Sequence, residues 1–266
     1  MTAGTASVEQ AARGLVARAH EVALCLDFDG TLSPVVDDPE AARPLHGVVE
    51  LLEPLAQRFA AVAIVSGRPA PYLAEHVAAP GVRYLGQYGL QEMYEGSARA
   101  DPRLERARPT VGAATEALRN SPAVRESGAW LEDKVYAVVV HTRRVPDREQ
   151  WTDAVDRTAR EVAAEYGLEI VPGKMVWELR PPVPSDKGDA VRRVVAESGA
   201  RTVVVVGDDV GDLPAFAAVA RLASEGHDGL RVAVRSAEAP AELLESADVV
   251  LDGPEGVLDF LRRLAS

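Results

Sequence analysis

The sequence predicts an α/β fold, with a doubly wound, Rossmann-like parallel-sheet core and an inserted α+β domain. Short apolar runs rich in β-branched residues recur along the chain, and several are apolar on both faces, as is typical of strands buried in a parallel sheet. These runs occupy residues 22–27, 61–67, 202–208, 231–235 and 247–252. Helical patterns alternate with them, which favours a sheet covered by helices on both faces. The helical patterns occupy roughly residues 6–20, 45–59, 70–78, 187–198, 212–223 and 254–265.

The middle of the chain has a different organisation, in which long helical patterns are each followed by an extended segment. The helical patterns cover 101–120 and 147–167, and the extended segments cover 130–144 and 168–181. The run RPPVPSD then predicts a linker, because its prolines prevent a helix or strand from continuing. We therefore expect a discontinuous core formed by residues 1–90 and 181–266, with an α+β domain at 91–180 inserted between its halves.

Composition excludes several classes of function. The 266 residues carry a formal net charge of −12, which argues against anionic partners such as nucleic acid or a membrane surface. No apolar run approaches the ~18 residues needed to span a bilayer, and no signal peptide is evident at the N-terminus. The single cysteine, Cys25, allows neither a disulfide nor a thiolate metal site. We expect a cytoplasmic monomer that acts on a small molecule.

Polar segments follow predicted strands or open a predicted helix at four places. They are Asp27–Thr31, Ser66–Arg68, Ser185–Gly188 and Gly207–Asp212. The carboxyl ends of strands are where open α/β sheets bind ligands, so we expect these segments to meet at one edge of the sheet. The alternative interpretation is that the aspartates only cap turns and helices, and it is strongest for Asp209 and Asp212.

Carboxylates that converge on one point repel one another unless a cation lies among them. Oxygen ligands of this kind suit Mg²⁺, which would also reduce repulsion between a carboxylate and an anionic phosphate. One carboxylate can attack phosphorus, and a second can protonate the leaving alkoxide and then deprotonate water. Lysine, serine and the backbone N–H groups of the turn at Gly30 can hold the phosphate oxygens.

These four segments resemble, in the usual order, the four motifs of the haloacid-dehalogenase-like phosphatases. The resemblance implies that Asp27 is the nucleophile and Asp29 the general acid and base. It also implies that Ser66 and Lys187 bind the phosphoryl group. Arg68 is either a neighbour of the phosphate or a surface group.

The same resemblance implies a Mg²⁺ site. Asp208 would bind the ion together with the side chain of Asp27 and the backbone carbonyl of Asp29. Asp209 and Asp212 are expected to support the metal from nearby.

In this superfamily an insertion between the second and third motifs forms a cap that selects the substrate. Here the insertion resembles the trehalose-6-phosphate phosphatase family, through segments that match its pattern with some departures. The matching segments are GQYGLQE (86–92), Glu132-Asp133-Lys134, His141-Thr142-Arg143 and PGKMVWELRPP (172–182). Tyr88 stands where the family has His, and Thr142 where it has Tyr. Gly211 and Leu213 also depart from the fourth motif, in which a Glu usually follows the last Asp.

The polar residues of the insertion suit a sugar-binding surface. Strand periodicity predicts that Lys174 and Glu178 share a face of their strand, and that Glu132 and Lys134 share a face of theirs. Arg143 has the opposite parity to Lys134, so both can point at one ligand only if a bulge or strand end intervenes. We expect these five residues to bind substrate. The alternative is that they only solvate an exposed strand face.

The resemblance implies a Mg²⁺-dependent phosphatase that converts trehalose 6-phosphate into trehalose and phosphate through an aspartyl-phosphate. Three alternatives remain open. The substrate is another sugar phosphate, such as sucrose 6-phosphate, or the chain is a sugar-phosphate sensor that does not turn over, or it is a phosphomutase. The presence of both Asp27 and Asp29 argues against the sensor.

Overall fold

A computed structural model describes residues 8–36, 39–143, 145–173, 175–237 and 239–266, except for the side chains of three of them, 39, 148 and 149. The chain divides into two compact units. The first combines Met1–Arg99 with Ser185–Ser266, and the second is Ala100–Pro184. The sequence placed the boundaries of the second unit at 91 and 180. The structure begins this unit at residue 100, because the strands just after residue 90 pair with the core sheet, and ends it at residue 184, inside the predicted linker.

The elements are numbered in chain order. The strands are β1 Val22–Leu26, β2 Ala61–Val65, β3 Val82–Gly86, β4 Gln91–Tyr94, β5 Ser97–Ala100, β6 Trp130–Asp133, β7 Val138–His141, β8 Glu169–Gly173, β9 Val176–Arg180, β10 Thr202–Gly207, β11 Asp228–Arg235 and β12 Val249–Asp252. The α-helices are α1 Val8–Val16, α2 Val49–Arg58, α3 Ala70–Val77, α4 Pro102–Asn120, α5 Pro122–Ser127, α6 Arg148–Glu165, α7 Lys187–Ser198, α8 Leu213–Ser224, α9 Ala241–Ser246 and α10 Gly253–Ala265. No helix of the described residues is long and apolar enough to cross a membrane.

The core contains an eight-stranded sheet in the order β12-β11-β10-β1-β2-β3-β4-β5. The strands from β12 to β3 run parallel, and β4 returns antiparallel to β3. From β1 the chain builds outward in one direction through β2 and β3, and from β10 it builds in the other through β11 and β12. The strand order therefore reverses between β1 and β10, and open α/β sheets bind ligands at such a point.

Helices cover both faces of this sheet, which confirms the predicted doubly wound α/β fold. All five residues of β1 are buried, and alternate residues enter different apolar clusters. Val22, Leu24 and Leu26 pack with residues of α1, α2, α3 and α10. Ala23 and Cys25 pack with residues of α7, α8 and α9. Burial on both sides explains why the strand sequences are continuously apolar.

The thiol of Cys25 is expected to be inert in the native protein. Its side chain is buried in β1, and burial raises its pKa to about 12, with Arg83 opposing the shift. At pH 8 only about one thiol in 10⁴ is then ionised, and the thiolate is the reactive species. We expect Ellman's reagent to react at least about a hundredfold faster in guanidinium chloride than under native conditions. Equal rates would contradict this burial, and Cys25→Ala supplies the blank.

The second unit contains a four-stranded sheet in the order β6-β7-β9-β8, in which all neighbours are antiparallel. Residues of α4, α5 and α6 pack on one face of this sheet in a single apolar cluster. Trp177 and Leu179 are buried in that cluster, as the alternation in β9 predicted.

Each extended segment of the second unit is a hairpin, so Lys134 and Arg143 do not lie on one regular strand, and the strand ends that their opposite parity called for are present between them. Lys134 lies in the turn that joins β6 to β7, and Arg143 lies beyond the end of β7. The difference in their parity therefore carries no information about which way their side chains point. Lys174 lies outside the described residues.

Candidate active site

The predicted core residues lie at the reversal point of the sheet. Asp27 directly follows β1, Asp208 follows β10, and Ser66 follows β2. Because β1 lies between β10 and β2, Asp27 has Asp208 on one side and Ser66 on the other. Lys187 is the first residue of α7, and the side chain of Asp186 caps this helix by accepting a hydrogen bond from the N–H of Asp189.

A buried ammonium group lies between two buried carboxylates. Nζ of Lys187 donates hydrogen bonds to Oδ1 of Asp27 at 2.6 Å and to Oδ1 of Asp212 at 2.7 Å. The three side chains are 6%, 6% and 1% exposed, in the order Lys187, Asp27 and Asp212. Lys187 therefore fixes one oxygen of Asp27 and leaves Oδ2 outside these two bonds.

The electrostatics of this cluster are dominated by burial and by an excess of negative charge. Burial raises the pKa of Asp27 well above its ordinary value; Lys187 opposes this shift, and Asp212 and Asp208 add to it. Burial, with Asp212 and Asp209, raises the pKa of Asp208 to about 6. Burial also raises the pKa of Asp212, although Lys187 opposes the shift. For Lys187, burial alone would lower the pKa, but the attraction of Asp27 and Asp212 raises it above its ordinary value.

Three of these carboxylates form a group that could hold a metal ion. Oxygen atoms of Asp27, Asp208 and Asp212 lie within 4.8 Å of one another, and all three residues are buried. One ammonium group balances only part of the charge of three carboxylates. An all-oxygen, anionic donor set of this kind fits a hard divalent cation.

The loop after β10 is held by the two aspartates whose role the sequence left open. Oδ2 of Asp212 accepts hydrogen bonds from the N–H groups of Asp208 at 2.9 Å and Asp209 at 3.2 Å. Oδ1 of Asp209 accepts a hydrogen bond from the N–H of Gly211 at 2.8 Å. Asp209 and Asp212 together therefore form a capping box. Asp212 therefore both caps the loop and belongs to the acidic group, whereas the side chain of Asp209 caps the turn. Metal support by Asp209 stays a prediction.

Asp29 pairs with Arg68 and lies outside the acidic group. Nε and Nη2 of Arg68 donate to Oδ2 and Oδ1 of Asp29 at 2.6 and 2.8 Å, in a bidentate pair. The guanidinium group lies 4.5 Å from the ring centroid of Tyr72 and 5.6 Å from that of Phe28. These contacts hold Arg68 in place, so Arg68 determines the orientation of Asp29. Sequence reasoning missed this pair because its members follow different strands.

Close backbone approach explains the small residues of the site. Gly30 has φ +74°, and a Cβ atom there would lie 2.0 Å from Oδ2 of Asp208. Only glycine therefore fits between the first and fourth motifs.

The hydroxyl of Ser66 accepts a hydrogen bond from the N–H of Arg68 at 3.2 Å. This bond does not use the hydroxyl proton, so Ser66 can still donate to a ligand.

Tyr88, at a position where the chain departs from the family pattern, lies beside the second motif. Its N–H donates to the carbonyl oxygen of Ser66 at 3.0 Å. A Cβ atom on Gly67 would lie 2.9 Å from the Tyr88 hydroxyl, so the phenol packs directly against this glycine. The side chain of Tyr88 is 37% exposed. A tyrosine at position 88 therefore lies in the immediate surroundings of Ser66.

The predicted sugar-binding residues of the second unit are partly brought together. Glu132 is paired in register with Val139, and Val139 with Glu178, so the two glutamates share a sheet face. Nζ of Lys134 lies 3.4 Å from Oε2 of Glu178. Arg143 is exposed after β7. Two further residues of this face, Trp130 and His141, were not identified as site residues from the sequence.

Comparison with known proteins gives consistent matches. The trehalose-phosphatase family profile matches residues 25–252. Trehalose-phosphate phosphatases from Mycobacterium marinum and Mycobacterium tuberculosis (strain H37Rv) are both 34% identical to this chain, over 258 and 261 residues. The alignments cover 92% and 96% of this chain, and 61% and 63% of those relatives. The chain thus spans about three-fifths of the length of the curated relatives it matches.

Solved structures share the fold. A trehalose-6-phosphate phosphatase related protein has a TM-score of 0.68 at 24% identity, covering 91% of this chain and 96% of that one. Trehalose-6-phosphate phosphatase from Aspergillus fumigatus has a TM-score of 0.60 at 24% identity, covering 97% of both chains. A haloacid dehalogenase-like hydrolase from Bacteroides thetaiotaomicron has a TM-score of 0.55 at 15% identity, covering 91% of this chain and 98% of that one.

Proposed function

This chain belongs to the trehalose-phosphatase family, and on that premise we propose that it hydrolyses trehalose 6-phosphate to trehalose and phosphate with the help of Mg²⁺. One observation carries the proposal. Asp27, buried at the reversal point of the sheet, is oriented through one oxygen by Lys187 and lies beside Asp208 and Asp212. This arrangement combines a carboxylate nucleophile, a cation for the phosphate and a metal site.

The first chemical step is attack by a carboxylate oxygen of Asp27 on phosphorus. The new O–P bond forms as the bond between phosphorus and the sugar oxygen breaks, which gives an aspartyl-phosphate and a sugar alkoxide. The ammonium group of Lys187 and the hydroxyl of Ser66 are the groups that would stabilise the charge on the phosphoryl oxygens. The backbone N–H of Gly30 was expected to contribute, but it donates to the carbonyl oxygen of Ser33 at 2.8 Å.

Asp29 supplies and removes the protons. As the acid, Asp29 protonates the departing alkoxide and releases trehalose; as the base, it then takes a proton from the water that attacks the aspartyl-phosphate. Hydrolysis frees phosphate and restores Asp27. The bidentate pair with Arg68 holds the Asp29 side chain in one orientation between turnovers.

Mg²⁺ would be held by Asp27, Asp208 and Asp212. When bound, it would supply positive charge that lowers the repulsion between carboxylate and phosphate. Thr31 orients this set, since its hydroxyl donates to Oδ1 of Asp208 at 3.4 Å. Capping by Asp212 fixes the backbone that carries Asp208.

Substrate selection is assigned to the second unit. Glu132, Lys134 and Glu178 place carboxylates and an ammonium group on or beside one sheet face, a combination that suits the hydroxyl groups of a sugar. We include Arg143 and Lys174 on the strength of the sequence resemblance alone. The expected cytoplasmic location and monomeric state also stay predictions.

Phosphate release from a substrate panel tests the function. The panel contains trehalose 6-phosphate, sucrose 6-phosphate, glucose 6-phosphate and mannose 6-phosphate, each with Mg²⁺ and with chelator. We expect Mg²⁺-dependent release from trehalose 6-phosphate, with kcat/KM at least about a hundredfold above the other sugars, because specific polar contacts discriminate strongly. Preference for another sugar would retain the phosphatase and reject the substrate. Binding without release from any sugar would favour the sensor.

A further inference from the structure

Trp130 is exposed in a way that packing does not explain. The residue begins β6 and is 58% exposed, more than any other tryptophan, tyrosine or phenylalanine among the described residues. Large aromatic side chains gain most from burial, and Trp177, in the same sheet, is buried in the apolar cluster. An indole left in solvent on an ordered strand is therefore a candidate binding group.

The indole ring is held by its neighbours on the sheet. Trp130 lies opposite His141 in the β6–β7 register, and the two ring centroids are 4.6 Å apart at an interplanar angle of 34°. Nε2 of His141 lies 2.9 Å from Oε2 of Glu132 and is hydrogen-bonded to it. The histidine is thus fixed on one side by a carboxylate and supports the indole on the other.

Carboxylates and an ammonium group lie next to Trp130 on the same sheet face, in the adjacent row of side chains across the strands. Glu132, two residues after Trp130, shares its face, and the register extends this row through Val139 to Glu178. Lys134 contributes its ammonium group to the same row, beside Glu178. Same-face neighbours on a strand are about 7 Å apart, which is within the reach of one sugar ring.

We propose that Trp130 is the aromatic platform on which a glucose ring of the sugar substrate packs, while Glu132, Lys134 and Glu178 bind the ring hydroxyls. A pyranose ring has an apolar C–H face and a polar rim. The apolar face suits an indole, and the rim needs both acceptors and donors, which carboxylates and an ammonium group supply. The inference rests on the proposed function, because it identifies a determinant of sugar recognition for that reaction.

Fluorescence tests the contact without turnover. Trehalose is titrated into the full chain while tryptophan emission is recorded, with glycerol at equal osmolality as the solvent control. We expect a saturable change in the wild type and in Trp151→Phe, a matched loss of one indole from α6, and none in Trp130→Phe. An unchanged wild-type spectrum, or a response that persists in Trp130→Phe, would overturn the proposal.

Kinetics then separate sugar binding from phosphate chemistry. Trp130→Ala is expected to raise KM for trehalose 6-phosphate about tenfold with little change in kcat, and Trp130→Phe to recover most of the loss. Hydrolysis of p-nitrophenyl phosphate, which has no sugar, is expected to stay within twofold of the wild type. An unaltered KM, or a parallel loss with both esters, would contradict the assignment. Absence of trehalose 6-phosphate hydrolysis in the wild type would reject the proposed function, and the trehalose titration would still decide the role of Trp130.

Discussion

Asp27→Asn is expected to reduce phosphate release from trehalose 6-phosphate by at least about a thousandfold, because a nucleophile removed from a covalent mechanism leaves only residual binding and electrostatic effects. Asparagine has nearly the same shape, so it can keep the place of Asp27 at the end of β1. The substitution removes the attraction between this carboxylate and Lys187. It also removes the repulsion from Asp212 and Asp208, which adds to burial in raising the pKa of Asp27. The fold should therefore survive the change.

The measurement is steady-state phosphate release at saturating substrate, together with a thermal melt. Asp259→Asn makes the same chemical change at an exposed position of α10, where the carboxylate pairs with Arg262, and serves as the matched control. Labelled phosphate carried on the denatured wild-type protein and absent from the Asp27→Asn protein would support the aspartyl-phosphate. A folded Asp27→Asn protein with more than a tenth of normal activity would rule out this nucleophile.

Lys187→Met is expected to damage both stability and catalysis. The ammonium group is the partner of two buried carboxylates, at 2.6 and 2.7 Å, and its removal leaves Asp27 and Asp212 buried without it. Breaking a buried ion pair in this way typically costs about 3–5 kcal/mol of unfolding free energy. Activity should also fall by at least about a hundredfold, since a phosphate ligand is lost.

Urea unfolding and phosphate release measure the two effects separately. Adding Asp212→Asn to Lys187→Met removes one of the unpaired charges, so the double variant should recover stability without recovering activity. Burial raises the pKa of Asp27 and Asp212 above their unfolded values. Carboxyl groups whose pKa is higher in the folded state than in the unfolded state destabilise the fold at high pH. The loss of unfolding free energy in Lys187→Met, relative to the wild type, should therefore shrink as the pH falls and these carboxyls take up protons. Stability and activity equal to those of the wild type would refute the role of Lys187.

The sequence predicted the core strands that carry the site because their signal is local. β1 and β10 are unbroken apolar runs that end in aspartates, and both faces of each strand are buried. The strands β3, β4 and β5, at one side of the sheet, escaped prediction because their pairing is not local. β3 contains Arg83, a charge that argues against a buried strand; the structure accommodates it through ion pairs with Glu92 on β4 and Glu197 on α7.

The two hairpins of the second unit were missed for a backbone reason. The turn between β6 and β7 has Val135 at φ +69°, and the turn between β8 and β9 has Met175 at φ +64°. Left-handed backbone is usually marked by glycine or asparagine, and a β-branched valine there is an outlier. The two left-handed positions themselves carry no such marker, although Pro172 and Gly173 lie just before the second turn and are a turn signal that the extended pattern concealed.

The position of β1 in the sheet also limits the order in which the core can fold during translation. β1 has β2 on one side, which is synthesised soon afterwards, but its other neighbour, β10, begins only at Thr202, after the whole second unit. Until then an apolar strand edge in the middle of the nascent core has no partner, and such edges promote aggregation. The charge partners of Asp27 also emerge after the second unit, at Lys187 and Asp212, so the surroundings of the nucleophile are completed only after that unit has been synthesised.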